Sequence, residues 1–359
     1  MPNKKIISRP RVAVAMSGGV DSSVAAALLK KQGFEIIGIF MQFWFPSGEK
    51  YGENRCCNLE SWNEASKVAK ILDFPIYKVN FGRQFKKTIV DEFIREYSAG
   101  NTPNPCVSCN KFIKFDLLFK QIKTVFKTEF LATGHYIKIK KEKGLISLYR
   151  PKDKNKDQTY FLYNLNQEKL KHLIFPLGNL TKKEVREIAS KYKLPVHDKK
   201  DSQEVCFVGT SHNQFLQKYL NPKPGEIINE KGKVLGEHKG FSLYTIGQRS
   251  GIGISGGPWY VCDIDKKNNR ITVTKDQRQS GIYKDSLLCN KANWISKEPA
   301  FPLNCLAQIR YRSNASNCNV TKKDKNISVL FKTKQRGIMP GQSIVFYRNN
   351  KLLGGAIIK

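Results

Sequence analysis

Hydrophobic positions along the chain change period near residue 211, and the change separates an α/β half from a β half. In the first half, short apolar runs alternate with residues at helical spacing. Val12 to Met16, Glu35 to Met41, Pro75 to Val79 and Phe130 to Thr133 read as buried strands. Val24-Ala25-Ala26-Ala27-Leu28-Leu29 is a strong helix former that stops near Gly33. Ala65, Val68, Ala69 and Leu72 share one helical face, as do Phe85, Ile89, Phe93 and Tyr97. Phe112, Phe115, Leu118, Phe119 and Ile122 form a third such face. Strands separated by amphipathic helices imply a parallel sheet with helices on both faces. Thr181-Lys182-Lys183-Glu184 is a capping box with Val185, Ile188, Ala189 and Tyr192 behind it, the expected last helix of this domain.

Beyond residue 211 the runs shorten. Pro222, Pro224 and Gly225 open a glycine-rich stretch in which Phe241 to Tyr244, Trp259 to Cys262 and Ile271 to Thr274 read as strands. From 281 to 359 only short alternating runs remain, such as Ile327 to Phe331 and Ser343 to Tyr347, which predicts a small all-β barrel. The expected domains are therefore 1–210, 211–280 and 281–359. There is no internal repeat and no long low-complexity segment.

The joint between the first strand and first helix carries the clearest chemistry. Ser17-Gly18-Gly19-Val20-Asp21-Ser22-Ser23 is a glycine-rich turn that aims backbone N–H groups and a helix N-terminus at a phosphate. The glycines permit close approach, and Ser17, Ser22 and Ser23 add hydroxyl donors. The turn holds no lysine, which separates it from the Walker loop. The string resembles the pyrophosphate-binding (PP) loop of the ATP pyrophosphatase superfamily, whose members cleave ATP between the α- and β-phosphates. Alone it selects a superfamily of synthetases and thiolases rather than one reaction.

Charge narrows the field. Among 359 residues, 62 Lys and Arg face 30 Asp and Glu, a formal net charge of +32. Such an excess predicts salt-sensitive attraction to a polyanion, although a lysine-rich composition from an AT-rich genome would raise it too. No stretch approaches the roughly 20 apolar residues of a membrane span. Met1 to Arg11 is basic but too short for a signal or transit peptide, so a cytoplasmic protein is expected. Nine cysteines, an odd number, then read as reduced thiols available for chemistry.

The cysteines supply the second signal. Thr102-Pro103-Asn104-Pro105-Cys106-Val107-Ser108-Cys109-Asn110 reads as a rigid exposed loop, because its two prolines oppose helix, leading into a helix that starts near Asn110. A cysteine beside a helix N-terminus has a stabilised thiolate. A third cysteine lies in Asp201-Ser202-Gln203-Glu204-Val205-Cys206-Phe207-Val208.

Together these strings closely resemble the tRNA-specific 2-thiouridylase family, nearly end to end. The likeness runs through Ala15-Met16-Ser17-Gly18-Gly19-Val20-Asp21-Ser22, Ala132-Thr133-Gly134-His135-Tyr136 and Asn155-Lys156-Asp157-Gln158-Thr159-Tyr160-Phe161-Leu162. It continues through Gly236-Glu237-His238-Lys239-Gly240, Thr245-Ile246-Gly247-Gln248-Arg249, Arg310-Tyr311-Arg312 and Pro340-Gly341-Gln342-Ser343. The resemblance implies an adenine nucleotide alpha hydrolase-like ATP-binding catalytic domain over 1–210. It also implies a central adaptor domain over 211–280 and a barrel over 281–359, both touching tRNA. The implied reaction adenylates the C2 oxygen of the wobble uridine (position 34) with ATP and Mg²⁺, after which a cysteine persulfide displaces AMP.

On that resemblance Cys109 is the nucleophile, and Cys206 carries the persulfide and later joins Cys109 in a disulfide. Ala15, Met16, Ser17, Gly18, Gly19, Val20, Asp21, Ser22, Met41 and Gly134 bind ATP, with Asp21 helping to hold Mg²⁺. Asn104, Pro105 and Cys106 face the target base, while His135, Lys156, Asp157, Gln158, Arg310, Tyr311 and Gln342 lie on the tRNA. The implied partners are tRNAs reading Glu, Gln and Lys codons, and a persulfide relay protein or cysteine desulfurase.

One position departs from the pattern: many members carry Asp where this chain has Cys106. A neutral thiol replaces an Asp poorly as a base. Cys106, Cys109 and Cys206 together would also suit an iron–sulfur cluster with one open iron, so a cluster-dependent thiolation stands beside the persulfide route. Cys56 and Cys57 are read as structural or incidental thiols, and Cys262, Cys289, Cys305 and Cys318 as core or surface residues. His238 is read as structural, and His172, His197 and His212 carry no motif. An amide-forming or argininosuccinate-type ligase would need the loop without the paired cysteines. A non-catalytic RNA-binding relic would be expected to lose Ser17, Asp21, Ser22, Cys109 or Cys206, all present.

Overall fold

The computed structural model describes residues 10–46, 58–201, 205–209, 211–278 and 281–359; Cys56 and Cys57 lie outside them. The chain divides into two compact units. One is drawn from Met1–Lys86 and Cys109–Gly209, the other from Lys87–Ser108 and Thr210–Lys359.

The first unit holds β1 (Arg11–Met16), β2 (Glu35–Gln42), β3 (Ile76–Asn80), β4 (Phe130–Ala132), β5 (Lys138–Glu142), β6 (Leu145–Tyr149) and β7 (Leu173–Ile174). Five of these form a parallel sheet in the order β3-β2-β1-β4-β7. Val12 to Met16 are buried without interruption, as expected of a central strand covered on both faces. Val12, Val14 and Met16 pack with Val24, Ala27 and Val185 from the helices Val20–Lys31 and Lys182–Lys191. The chain leaves β1 for β2 on one side and returns to β4 on the other. The carboxyl end of β1 is therefore the switch point at which such sheets bind ligands. β5 and β6 form an antiparallel hairpin across Lys143 and Gly144, both with positive φ (48° and 76°), the backbone of a tight primed turn.

In the second unit, β8 (Gly225–Asn229), β9 (Val234–His238), β10 (Tyr260–Asp265) and β11 (Arg270–Thr274) form a sheet in the order β10-β11-β8-β9. β12 (Tyr283–Trp294), β13 (Leu303–Gln308), β14 (Ser316–Lys323), β15 (Asn326–Arg336), β16 (Ser343–Arg348) and β17 (Lys351–Ile358) pair antiparallel all the way round. The β12–β17 pairing closes the barrel over a core that includes Val320, Val329, Ile344 and Phe346. His238 is buried and structural: Gly240 N donates to its Nδ1 at 2.9 Å, and Nε2 faces Asn269 O at 3.1 Å.

Two sequence expectations need correction. Phe241 to Tyr244 is not a strand; Phe241–Leu243 is a single 3₁₀ turn entered from Gly240 at φ 124°. The Cys106 segment is helical from Pro105, because a proline in the first turn gives up an N–H that has no intrahelical partner anyway. Asn104 caps that turn, its Oδ1 accepting from Cys106 N at 3.2 Å and Val107 N at 3.3 Å. Beyond residue 210, the helix His212–Leu220 has its own Ser211–Gln214 capping box. The face shared by Phe85, Ile89, Phe93 and Tyr97 is spread over successive helical segments, and Phe93 meets Phe215 of that later helix at 6.1 Å.

The Thr181 cap fixes where Lys182 begins its helix. Thr181 Oγ1 accepts from Glu184 N at 3.2 Å, and Glu184 Oε2 accepts from Thr181 N at 2.6 Å. The bond from Lys152, with those from Thr181, lowers the Glu184 carboxyl to about 2. Thr181→Ala should cost about 1 kcal/mol of unfolding free energy. The Glu184 contribution should be present above about pH 4.5 and fade as pH falls toward 2, since its native carboxyl is depressed. Urea unfolding across pH, with Glu184→Gln flattening that limb, checks both.

Candidate active site

The Ser17–Ser23 turn sits where β1 ends. Gly18 has φ 69°, and a Cβ there would lie 2.3 Å from Ser61 O in the first turn of the helix Leu59–Ile71. Gly134, just past β4, packs as tightly: its Cβ would lie 2.7 Å from the carbonyl carbon of Asp21. The turn is braced from within. Ser17 N donates to Ser22 Oγ at 3.2 Å, while Ser22 Oγ and Ser23 Oγ donate to Gly19 O at 3.1 and 2.9 Å. Gly19 is the N-cap and has no side chain to occupy the helix's leading N–H groups, which leaves them to an anion. Ala15 and Met16 are buried in β1, and Met41 is buried near the carboxyl end of the neighbouring β2.

Charge around the turn is organised by one lysine. Lys182 Nζ lies 2.7 Å from Asp21 Oδ1 and 2.6 Å from Asp201 Oδ1. Asp21 Oδ1 also accepts from the Tyr136 hydroxyl at 2.7 Å. Asp201 Oδ2 accepts from Lys156 Nζ at 2.6 Å, and Arg186 Nη2 stands 3.9 Å from Oδ1. Burial alone would raise the Asp201 carboxyl, but bonds and charge from Lys156 and Lys182 outweigh it and hold it below the usual range. Burial, then the Asp21 charge, pushes the Tyr136 phenol far up, so it remains a hydrogen-bond donor. Asp153 Oδ2 also accepts from Lys182 N at 2.9 Å, so Lys156, Lys182 and Arg186 stand among three carboxylates beside an N–H-rich turn, and it is the turn's own donors that suit a polyphosphate.

Residues expected on the tRNA have internal partners around this turn. Lys156 pairs with Asp201, Asp157 pairs with Arg150 at 2.5 Å, and Gln158 Oε1 accepts from Tyr136 N at 3.0 Å. His135, half-buried, has its Nδ1 2.7 Å from Thr133 Oγ1 beside Phe115 and Phe175. Burial and nearby Lys114 lower it well below the usual imidazole range, so it is neutral near pH 7.

Cys109 and Cys206 both belong to the first unit. Cys109 is buried at the start of the π-helical segment Cys109–Leu118. The next residue, Asn110, donates from Nδ2 to Phe161 O at 3.3 Å, and its buried Oδ1 has no hydrogen-bond partner among the described residues. Cys206 is half-buried, and the Phe207 ring beside it packs edge-on to Phe85 at 5.8 Å. Phe85 in turn stacks on Phe43, just past β2, at 4.5 Å.

In the second unit, Cys106 is exposed in the turn capped by Asn104. Thr102 N donates to Pro340 O at 2.8 Å, and Gly341 (φ 89°) packs against Asn101 and Thr102. This joins the Asn104–Cys106 segment to the barrel corner holding Gln342. Arg310 is exposed in the loop after β13, with Arg312 over the Tyr311 ring at 5.4 Å. Burial pushes the thiols of Cys262 and Cys289 up to about 11 and about 12. Cys318 is buried and Cys305 faces it at 3.7 Å across β13 and β14, so these four are core-type thiols. Among the described residues no three His, Cys, Asp or Glu side chains form a metal-ligand group.

Sequence reasoning missed Lys182, Asp201, Arg186 and the role of Tyr136. One signal was present: a lysine in the first turn of a helix opposes the helix dipole and therefore calls for an anion.

Three family models match in succession: a tRNA methyl transferase HUP domain over 10–210, a tRNA methyl transferase PRC-barrel domain over 213–275 and an aminomethyltransferase β-barrel domain over 284–358. The chain is 42% identical over 360 residues to the tRNA-specific 2-thiouridylase MnmA of Clostridium perfringens, covering 98% of this chain and 99% of that one. It is 43% identical to that of Carboxydothermus hydrogenoformans, covering 99% of each. It is 44% identical to that of Clostridium kluyveri, covering 97% and 99%. The chain belongs to the tRNA-specific 2-thiouridylase family. In this 2-thiouridylase family member the loop after β1 is intact and the cations around it come from two separate parts of the sequence, the Lys154–Lys156 turn and the Lys182–Lys191 helix.

The close approach of Gly134 to Asp21 yields a direct test. Gly134→Ala should displace the turn and weaken ATP binding at least about tenfold, the reach of a lost charge-assisted contact or two, while far-UV circular dichroism stays unchanged. Calorimetric titration with ATP reads the difference.

Proposed function

We propose that this chain is an ATP-dependent tRNA-uridine 2-sulfurtransferase acting in the cytoplasm on the wobble uridine (position 34). The observation that carries the reading is the intact pyrophosphate-type turn, with Cys109 and Cys206 in the same unit of a family member. The Ser17–Ser22 N–H groups and hydroxyls hold the β- and γ-phosphates, Asp21 helps hold Mg²⁺, and Met41 and Gly134 border the adenylate. The C2 oxygen of uridine attacks the α-phosphorus, and pyrophosphate leaves. Adenylation converts a poor leaving oxygen into a good one.

The outer sulfur of a persulfide on Cys206 then bonds to C2, and AMP leaves. The Cys109 thiolate attacks the Cys206 sulfur, which frees 2-thiouridine and forms a Cys109–Cys206 disulfide for an external dithiol to reduce. The persulfide comes from a relay protein or a cysteine desulfurase. Asn104, Pro105 and Cys106 face the base. His135, Lys156, Asp157, Gln158, Arg310, Tyr311 and Gln342 contact tRNAs reading Glu, Gln and Lys codons. The domains are 1–210, 211–280 and 281–359. The names of the matched models speak of methyl transfer, whereas the cysteines at the turn's own unit supply sulfur chemistry.

Asp21→Ala should abolish pyrophosphate release, read by a coupled phosphate assay, while tRNA affinity in filter binding stays within about threefold. Arg310→Ala should do the reverse, weakening tRNA binding and leaving ATP affinity intact. Loss of both functions in either variant would point to misfolding and away from these roles.

A further inference from the structure

Cys305 and Cys318 face each other across two strands of the barrel, and neither has a role in the reaction proposed above. The register of β13 and β14 runs without a shift from Leu303 opposite Val320 to Ala307 opposite Ser316, which sets Cys305 directly opposite Cys318. Asn319 Nδ2 donates to Asn304 Oδ1 at 3.0 Å in the next pair along and holds that register. Residues paired in this way have Cα atoms roughly 4.5–5.5 Å apart, inside the roughly 4.4–6.8 Å that a disulfide spans. The two sulfurs are 3.7 Å apart. The pair is also within reach of solvent. Cys318 is 3% exposed and packs in the barrel core, but Cys305 is only half-buried. Both line an open cavity of about 420 Å³, with Lys332, Tyr347 and Arg348 also on its wall. A small reagent can therefore meet Cys305 while Cys318 waits behind it. The two wall cations suit a reagent that carries carboxylates.

We propose that Cys305 and Cys318 form a dithiol site that a low-molecular-weight, carboxylate-bearing disulfide converts to a protein disulfide. The Cys305 thiolate attacks one sulfur of the reagent and expels its first thiolate, which leaves a mixed disulfide. The Cys318 thiolate then attacks the Cys305 sulfur and expels the second. Two protein thiols lose two electrons and two protons, and the reagent takes up both and departs as two thiols. The facing sulfurs make the second step intramolecular and fast. The bond with Cys318, then burial, push the Cys305 thiol far up against the pull of Arg348. The first step therefore sets the rate and quickens as pH rises and more thiolate forms. The closed bond staples the base of the hairpin whose loop carries Arg310 and Tyr311.

The test treats the full chain with glutathione disulfide at about pH 8, where thiolate is more plentiful. Remaining thiols are blocked with N-ethylmaleimide in denaturant, and the chain is digested with trypsin without reductant. Arg310 and Arg312 lie between the two cysteines, so trypsin parts them and only a sulfur–sulfur bond can hold their peptides together. In the wild type the linked Cys305–Cys318 peptides should be the main form of both residues by mass spectrometry, and dithiothreitol should release them. Cys318→Ala should stop at Cys305 carrying one glutathione, and Cys305→Ala should leave Cys318 a free thiol. Wild-type protein whose circular dichroism is unchanged but whose two thiols stay free, or whose Cys305 keeps its glutathione, overturns the proposal. So does a link from Cys318 to Cys289, whose thiol its charge helps to raise.

Discussion

At the carboxyl end of β1, backbone segments pack closer than a side chain permits, and the arrangement of the site depends on that contact. Ser61 O occupies the space of a Gly18 Cβ, and the Asp21 carbonyl carbon occupies most of the space of a Gly134 Cβ. These contacts press the turn against the helix Leu59–Ile71 on one side and the end of β4 on the other. The Val20–Lys31 helix then starts with its leading N–H groups turned to the crevice at the switch point of the sheet.

Electrostatics follow from this placement. The turn is rich in donors but holds no cation of its own, so positive charge arrives from elsewhere: Lys156 from a 3₁₀ turn, and Lys182 and Arg186 from a capped helix. Asp21 and Asp201 hold Lys182, and Asp201 holds Lys156, whereas Arg186 donates to the carbonyls of His197 and Lys199. Preorganised charge of this kind costs little to reorganise when charge shifts on a bound group. The cysteines are held by different means. Cys109 takes its place from a helical segment that starts beside the Asn104 cap in sequence, and Cys206 from the Phe207–Phe85–Phe43 ring stack.

Local signals were legible in the chain and distant ones were not. Strand, glycine turn and helix follow one another without a break from Arg11 to Lys31, so the nucleotide turn could be read directly. The alternation of strand and helix gave the parallel sheet, and short alternating runs gave the barrel without its pairing. Pro105 misled because proline opposes a helix interior yet suits its first turn, which moved the start of the Cys106 helix. Phe241 to Tyr244 misled because a short apolar run does not distinguish a strand from a 3₁₀ turn. The Lys182 bridge joins residues 161 positions apart, and only the folded chain brings them together.

The central claim is that a cysteine-borne sulfur, with ATP, converts a tRNA uridine to 2-thiouridine. The most direct measurement incubates protein shown by metal analysis to lack iron with unmodified tRNA, ATP, Mg²⁺ and a persulfide donor. 2-Thiouridine is then read by mass spectrometry after nuclease digestion. The account predicts product from the wild type and none from Cys109→Ser or Cys206→Ser. Product that forms only after anaerobic reconstitution of an iron–sulfur cluster would contradict it.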